Sequence, residues 1–150
     1  MTFEEGSDFP GSSDQDRRLE KLAIDAVLRR ATAEAYQFLP VRLQDQNGRL
    51  LWAPAAHACH SNVERWIKIS PGHKRVTGFL LQGPLFSFWR VLAHSLVQVE
   101  DGSLVEITPQ EGNQLQPFVK HAGTDDEFEE FADRVKLIVR PPKGFEPDPE

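Results

Sequence analysis

Leu19, Leu22, Ala23, Ala26 and Val27 recur at three- and four-residue intervals, with Arg17, Arg18, Glu20, Lys21, Arg29 and Arg30 largely between them. That spacing puts one apolar stripe along a helix and predicts a long amphipathic helix over residues 16–38, with Ser13 or Asp14 as its cap. Residues 41–52 predict a strand, a turn and a second strand, because Asn47-Gly48 adopts the positive φ angles of a tight hairpin at little cost. A short helix is expected over residues 62–69, halted by Ser70-Pro71-Gly72. Cys59 then falls at or just before its amino end. From Arg75 onward the pattern turns to β. Residues 76–81, 86–99 and 104–108 are rich in β-branched and aromatic side chains and are separated by Gly83-Pro84 and Asp101-Gly102. Connections this short do not allow parallel crossovers, so the three segments predict an antiparallel meander. Thr124-Asp125-Asp126-Glu127 has the form of a capping box ahead of Phe128 and Phe131, and residues 135–139 predict a last strand.

These elements amount to an α+β domain over residues 16–139. It has a long N-terminal helix, a short helix starting after the cysteine, an antiparallel β-meander and a C-terminal helix. Residues 1–15 and the Pro-rich, acidic residues 140–150 carry little to bury and are expected to be mobile tails. The 150 residues suffice for one packed core without metal or disulfides. With 17 Lys and Arg against 23 Asp and Glu the net charge is −6, a field that repels phosphate backbones and argues against a nucleic-acid partner. No apolar run approaches the ~18 residues of a membrane span. The acidic start Thr2-Phe3-Glu4-Glu5-Gly6 lacks the features of a secretory signal, which points to the cytoplasm. Trp52, Trp66, Phe86, Phe88 and Trp89 are expected in the core rather than in a ligand cage. His73 is expected to be solvated in its turn, and the acidic run from Asp125 to Glu130 is read as a charged helix start.

A single cysteine rules out an internal disulfide, so Cys59 matters, if at all, as a thiol. The amino end of a helix lowers a cysteine pKa through its unpaired N–H groups and partial positive charge. A thiolate there needs a base, and His94 is the candidate, carried by the strand around Ala93-His94-Ser95. Glu106 follows on the next strand. If Asp101-Gly102 belongs to a three-residue turn, His94, Leu96, Leu104 and Glu106 share a face and the carboxylate can orient the imidazole. A strict two-residue turn puts Glu106 on the opposite face. His57, His60 and Asn62 surround the cysteine in His57-Ala58-Cys59-His60-Ser61-Asn62 and are candidate binding residues. His57 or His60 is also a candidate helper to the backbone N–H groups in holding an oxyanion.

A cysteine at a helix start, then a histidine on a strand, then a polar residue on the next strand resembles the papain-like thiol hydrolase superfamily, over roughly residues 59–109. The dozen positions between His94 and Glu106 are similar to the spacing in NlpC-type peptidases. The Asp101-Gly102 turn and Glu106-Ile107-Thr108-Pro109 resemble transglutaminase-like proteins. Cys59-His60-Ser61-Asn62-Val63 and Ala93-His94-Ser95 are also similar to a group of small uncharacterised bacterial proteins. The superfamily resemblance implies a cysteine-dependent amide or ester hydrolase or acyltransferase, with Cys59 as nucleophile, His94 as acid–base and Glu106 as orienting residue. It implies a peptide or small amide or ester substrate and no cofactor. Two other readings stay open: a metal site built from His57, Cys59, His60, His94 and His121, and a noncatalytic protein-binding module in which Cys59 is an inert core residue.

Overall fold

In the computed structural model, residues 14–109, 115–134 and 136–140 are described. Its organising element is a long hairpin. Strand β4 (Lys74–Leu85) pairs antiparallel with β5 (Phe88–Gln98) from Lys74 opposite Gln98 to Leu85 opposite Phe88. The sequence pattern places the break at Gly83-Pro84, but both residues lie inside β4, where the register shifts between Gln82 and Leu85. The chain reverses instead at Phe86-Ser87, whose positive φ angles of 54° and 75° are those of a two-residue turn that matches the right-handed twist of the flanking strands. Hairpin pairing, not local turn propensity, sets this reversal.

On one side of the hairpin, β7 (Phe118–Lys120) pairs with β4. On the other, β6 (Leu104–Glu106) pairs antiparallel with the end of β5, and β8 (Lys136–Val139) pairs with its beginning. The three consecutive strands therefore form the expected meander. Outside β6 lies β1 (Gln37–Phe38), parallel to it. The two strands on this side of β5 reach only Leu92 from one end and Val97 from the other. Among the described residues, residues 93–96 thus face an opening in the sheet.

Helix α1 (Asp14–Leu28) lays Leu19, Ala23, Ala26 and Val27 against Phe79, Leu81, Trp89, Val91 and Ala93. Helix α3 (Asp125–Ala132) adds Phe128 and Phe131 to the same core. Its capping box is formed: the Thr124 side chain accepts from the Glu127 N–H and the Glu127 carboxylate from the Thr124 N–H. Helix α2 (Cys59–Ile69) packs Val63 against Val97 and Ile107 at the other end of the sheet. The opposite face of the sheet buries Leu80, Leu96, Leu104 and Phe118 beneath Tyr36. The fold is α+β, as the hydrophobic pattern predicts, and among the described residues no helix is long and apolar enough to cross a membrane.

Several local expectations are corrected. The first helix begins at Asp14, inside the expected tail, and stops at Leu28 rather than near Phe38. After a 3₁₀ turn at Arg30–Thr32 the Glu34 N–H bonds the Phe118 carbonyl, and the chain becomes β1. Cross-strand hydrogen bonds and burial of Tyr36 outweigh the helical propensity of the Ala-rich segment. The second helix starts at Cys59 itself. The hairpin of β2 (Leu43–Gln44) and β3 (Leu50–Trp52) is present with short strands, and only Gly48 of the Asn-Gly pair has positive φ. Among the aromatics, Trp89 is buried and Trp52 and Trp66 are half-buried, but Phe88 is exposed and Phe86, at the hairpin tip, is 96% exposed. His73 is not a freely solvated turn residue: it accepts a hydrogen bond from Trp66 Nε1 at 3.0 Å and faces Glu100 at 3.2 Å. Ser13, Val135 and most of both expected tails lie outside the described residues.

Candidate functional site

Three elements bring Cys59, His94 and Glu106 together. Cys59 is the first residue of α2 and half-buried. The preceding residue, Ala58, has no side chain to cap the helix, so the first-turn N–H groups beside the thiol lack the usual capping oxygen. Asn62 N–H already bonds the Ala58 carbonyl. His60 Nδ1 lies 2.7 Å from Ser95 Oγ, which anchors this amino end at the sheet opening between β6 and β8. There the sulfur is within hydrogen-bonding reach of both His60 and His94.

His94, 4% exposed, stands on β5 opposite Gly78, with its ring edge-on to Phe118. The β5–β6 turn decides where Glu106 goes. Val99 N–H bonds the Ser103 carbonyl around Glu100-Asp101-Gly102, with Gly102 at φ 92°. This three-residue turn sets Val97 opposite Val105, which leaves Glu106 across from Leu96 and diagonal to His94 on the same face. His94 Nε2 and Glu106 Oε2 form a close, buried hydrogen-bonded ion pair. With Nε2 engaged by the carboxylate, Nδ1 is the ring nitrogen left for Cys59. Glu106 is 1% exposed, and its other oxygen accepts the Thr108 N–H at 3.1 Å.

Electrostatics follow from this geometry. Burial opposes ionisation of Cys59, but hydrogen bonds from His60 and His94 and the positive charge of His94 outweigh it and bring the thiol pKa from 9.0 down to about 6. Burial likewise opposes a charged His94, yet Cys59 and Glu106 push its pKa from 6.5 up to about 9. Between those values the favoured state is a thiolate beside an imidazolium.

The neighbours predicted as binding residues have distinct places. Asn62 is buried, and its Oδ1 accepts the Ala55 N–H while Nδ2 donates to the Ala55 carbonyl and to Thr108 Oγ1. Both N–H donors are engaged, so Asn62 ties the loop before α2 to the residue that holds Glu106. A hydrogen-bonded path thus runs Ala55, Asn62, Thr108, Glu106, His94. His60 hydrogen-bonds the Cys59 sulfur, and its ring meets Phe128 edge-on. His57 stands two residues before the thiol with φ 63°, a left-handed conformation uncommon outside glycine. His121 is elsewhere: Nε2 donates to the Thr124 carbonyl at the start of α3, and its ring packs on Phe79 and Phe128. Among the described residues no group of three His, Cys, Asp or Glu side chains is arranged to hold a metal ion.

Four residues of the site are given no role of their own by the sequence pattern. Ser95 and Thr108 read as ordinary strand positions. Arg75, whose Nε donates to Ser95 Oγ at 3.1 Å, marks only the start of the β pattern. Tyr36, assigned to a helix by its neighbours, covers this face instead. Burial and the Glu106 carboxylate raise its pKa, and its hydroxyl donates to the Gln116 carbonyl at 2.6 Å. Comparison of the chain with protein-family models, with curated proteins and with solved structures gives no match.

Proposed function

We propose that this protein is a cysteine-dependent hydrolase or acyltransferase acting on amide or ester carbonyls. The observation that carries the reading is the buried His94–Glu106 ion pair set against a half-exposed thiol at an uncapped helix start. Cys59 Sγ attacks the carbonyl carbon, and the oxyanion that forms is held by the first-turn N–H groups of α2. His94 delivers its proton to the departing nitrogen or oxygen, and a thioester remains on Cys59. Water, or another nucleophile, then gives its proton to His94 and displaces the thiol, so that hydrolysis and acyl transfer differ only in the second nucleophile. Glu106 holds the imidazole in one orientation and stabilises its charged form. A peptide or small amide or ester fits this chemistry, which needs no cofactor. A working free thiol suits a reducing compartment, so we place the protein in the cytoplasm. The net charge of −6 makes a nucleic-acid partner unfavourable.

The test is alkylation by iodoacetamide across pH. Cys59 is expected to label with a midpoint near its pKa of about 6, and His94→Ala to move that midpoint up toward the ~8.5 of an ordinary thiol. Cys59→Ser is expected to fold normally and to abolish any ester hydrolysis by the wild type. Labelling that occurs only on unfolding, or a midpoint indifferent to His94, overturns the enzyme and leaves a binding module with an inert cysteine.

A further inference from the structure

Ser95 settles a proton that the thiol chemistry alone leaves free. Its hydroxyl is fully buried and has two partners, Arg75 Nε at 3.1 Å and His60 Nδ1 at 2.7 Å. An arginine side chain can only donate, so it occupies one lone pair of Ser95 Oγ. The hydroxyl hydrogen then needs an acceptor, because a buried donor left without one loses its hydration with nothing to replace it. His60 Nδ1 is that acceptor, and it accepts only if it carries no proton. The proton of a neutral His60 therefore sits on Nε2. Arg75 is itself fixed: Nη1 bonds Glu64 at 3.2 Å and Glu129 at 3.3 Å, and its guanidinium lies over the Phe128 ring.

We infer that His60 is a second catalytic imidazole, locked by the Arg75–Ser95 chain as a neutral Nε2–H donor to the Cys59 sulfur. This rests on the thiol-enzyme reading above and adds a division of labour to it. His94, backed by a carboxylate, takes and returns the proton. His60, backed by a hydroxyl whose own hydrogen points at it, can take a proton at Nδ1 only by reversing that bond and leaving the buried Ser95 hydrogen without an acceptor, so it donates and does not shuttle. The chain ends at the surface, in an open cleft of about 480 Å³ lined by His60, Ser61, Glu64, Arg75 and Glu129 among others. Loss of the outer ion pairs would thus be felt at the sulfur through one hydrogen bond after another.

Two measurements on the full-length protein test this. Ring ¹⁵N NMR at neutral pH is expected to find His60 protonated at Nε2 and bare at Nδ1. A proton on Nδ1 overturns the inference without touching the role of His94. In the iodoacetamide pH profile, His60→Phe keeps a ring against Phe128 but removes the donor, and is expected to raise the Cys59 midpoint by about one pH unit. His60→Gln places an amide N–H where Nε2–H stood and is expected to restore the wild-type midpoint to within about 0.3 unit. If wild-type labelling is early and His94-dependent while His60→Phe leaves the midpoint unmoved, His60 is packing only and the inference fails. If wild-type Cys59 does not label near pH 6 at all, the thiol-enzyme reading fails with it.

Discussion

At the level of single residues, the site opposes desolvation with paired charge. A buried carboxylate is costly alone, but Glu106 has the His94 imidazole on one oxygen and the Thr108 N–H on the other. The pair in turn makes the adjacent thiol acidic. With Cys59 at about 6 and His94 at about 9, the reactive combination of thiolate and imidazolium accumulates above the first value and disappears above the second. Ester hydrolysis, measured with a p-nitrophenyl ester, is therefore expected to follow a bell with limbs near those two values. Glu106→Gln removes the charge that holds the proton on His94, so the upper limb is expected to move down and the lower limb up, narrowing the bell. A single limb rising through about 8.5 in the wild type would show an unassisted thiol. The candidate residues themselves were legible in the sequence, because a lone cysteine near a helix start and a histidine in a strand stand out by type. Their supports were not. Ser95, Thr108 and Tyr36 are common residues whose roles come from what faces them, and nothing in their spacing encodes that.

Among the elements, the strongly periodic ones were readable and the short ones were not. α1, α2, α3 and the β4–β5–β6 meander carry their own apolar patterns. β1 and β7 have two and three residues, too few for a period, and their pairing is decided by distant partners. The 3₁₀ turn that ends α1 follows from the same cause. One residue inside β4 has to be glycine. Gly78, in the middle of β4, lies opposite His94 and beside β7, and a Cβ there would stand 2.4 Å from the Val119 carbonyl oxygen and 2.6 Å from the Phe118 ring. A backbone oxygen in a paired strand cannot swing aside as a flexible side chain can. Gly78→Ala is expected to lower stability by about 1–3 kcal/mol in thermal or urea unfolding. It should also disturb Phe118, against which the His94 ring rests. An unchanged melting temperature would mean that β7 docks more loosely on β4 than the contact implies.

Over the whole molecule, positions 59, 94 and 106 meet only when the meander is formed and α2 has docked at the opening in the sheet. Before that, Cys59 has no helix end, no His94 beside it and no reason to ionise early. Its acidity is thus a property of the folded chain, which gives a prediction of unusual sign. A buried inert thiol becomes more reactive when a protein unfolds. Here, at pH 6, unfolding exchanges a thiol whose pKa is about 6 for an ordinary one at ~8.5, and the thiolate fraction collapses. The unfolded thiolate is the better nucleophile, which offsets part of that loss. The net fall in alkylation rate is expected to be on the order of tenfold. Measured through a urea titration at pH 6, the iodoacetamide rate should fall in one sigmoid step with the same midpoint as the loss of circular dichroism, because site and core are one cooperative unit. At pH 10, where both forms are ionised, unfolding should instead raise the rate by exposing the sulfur. A rate at pH 6 that climbs with urea would mean the native sulfur is shielded rather than activated. A fall that precedes the loss of circular dichroism would mean that α2 detaches from the sheet before the core opens.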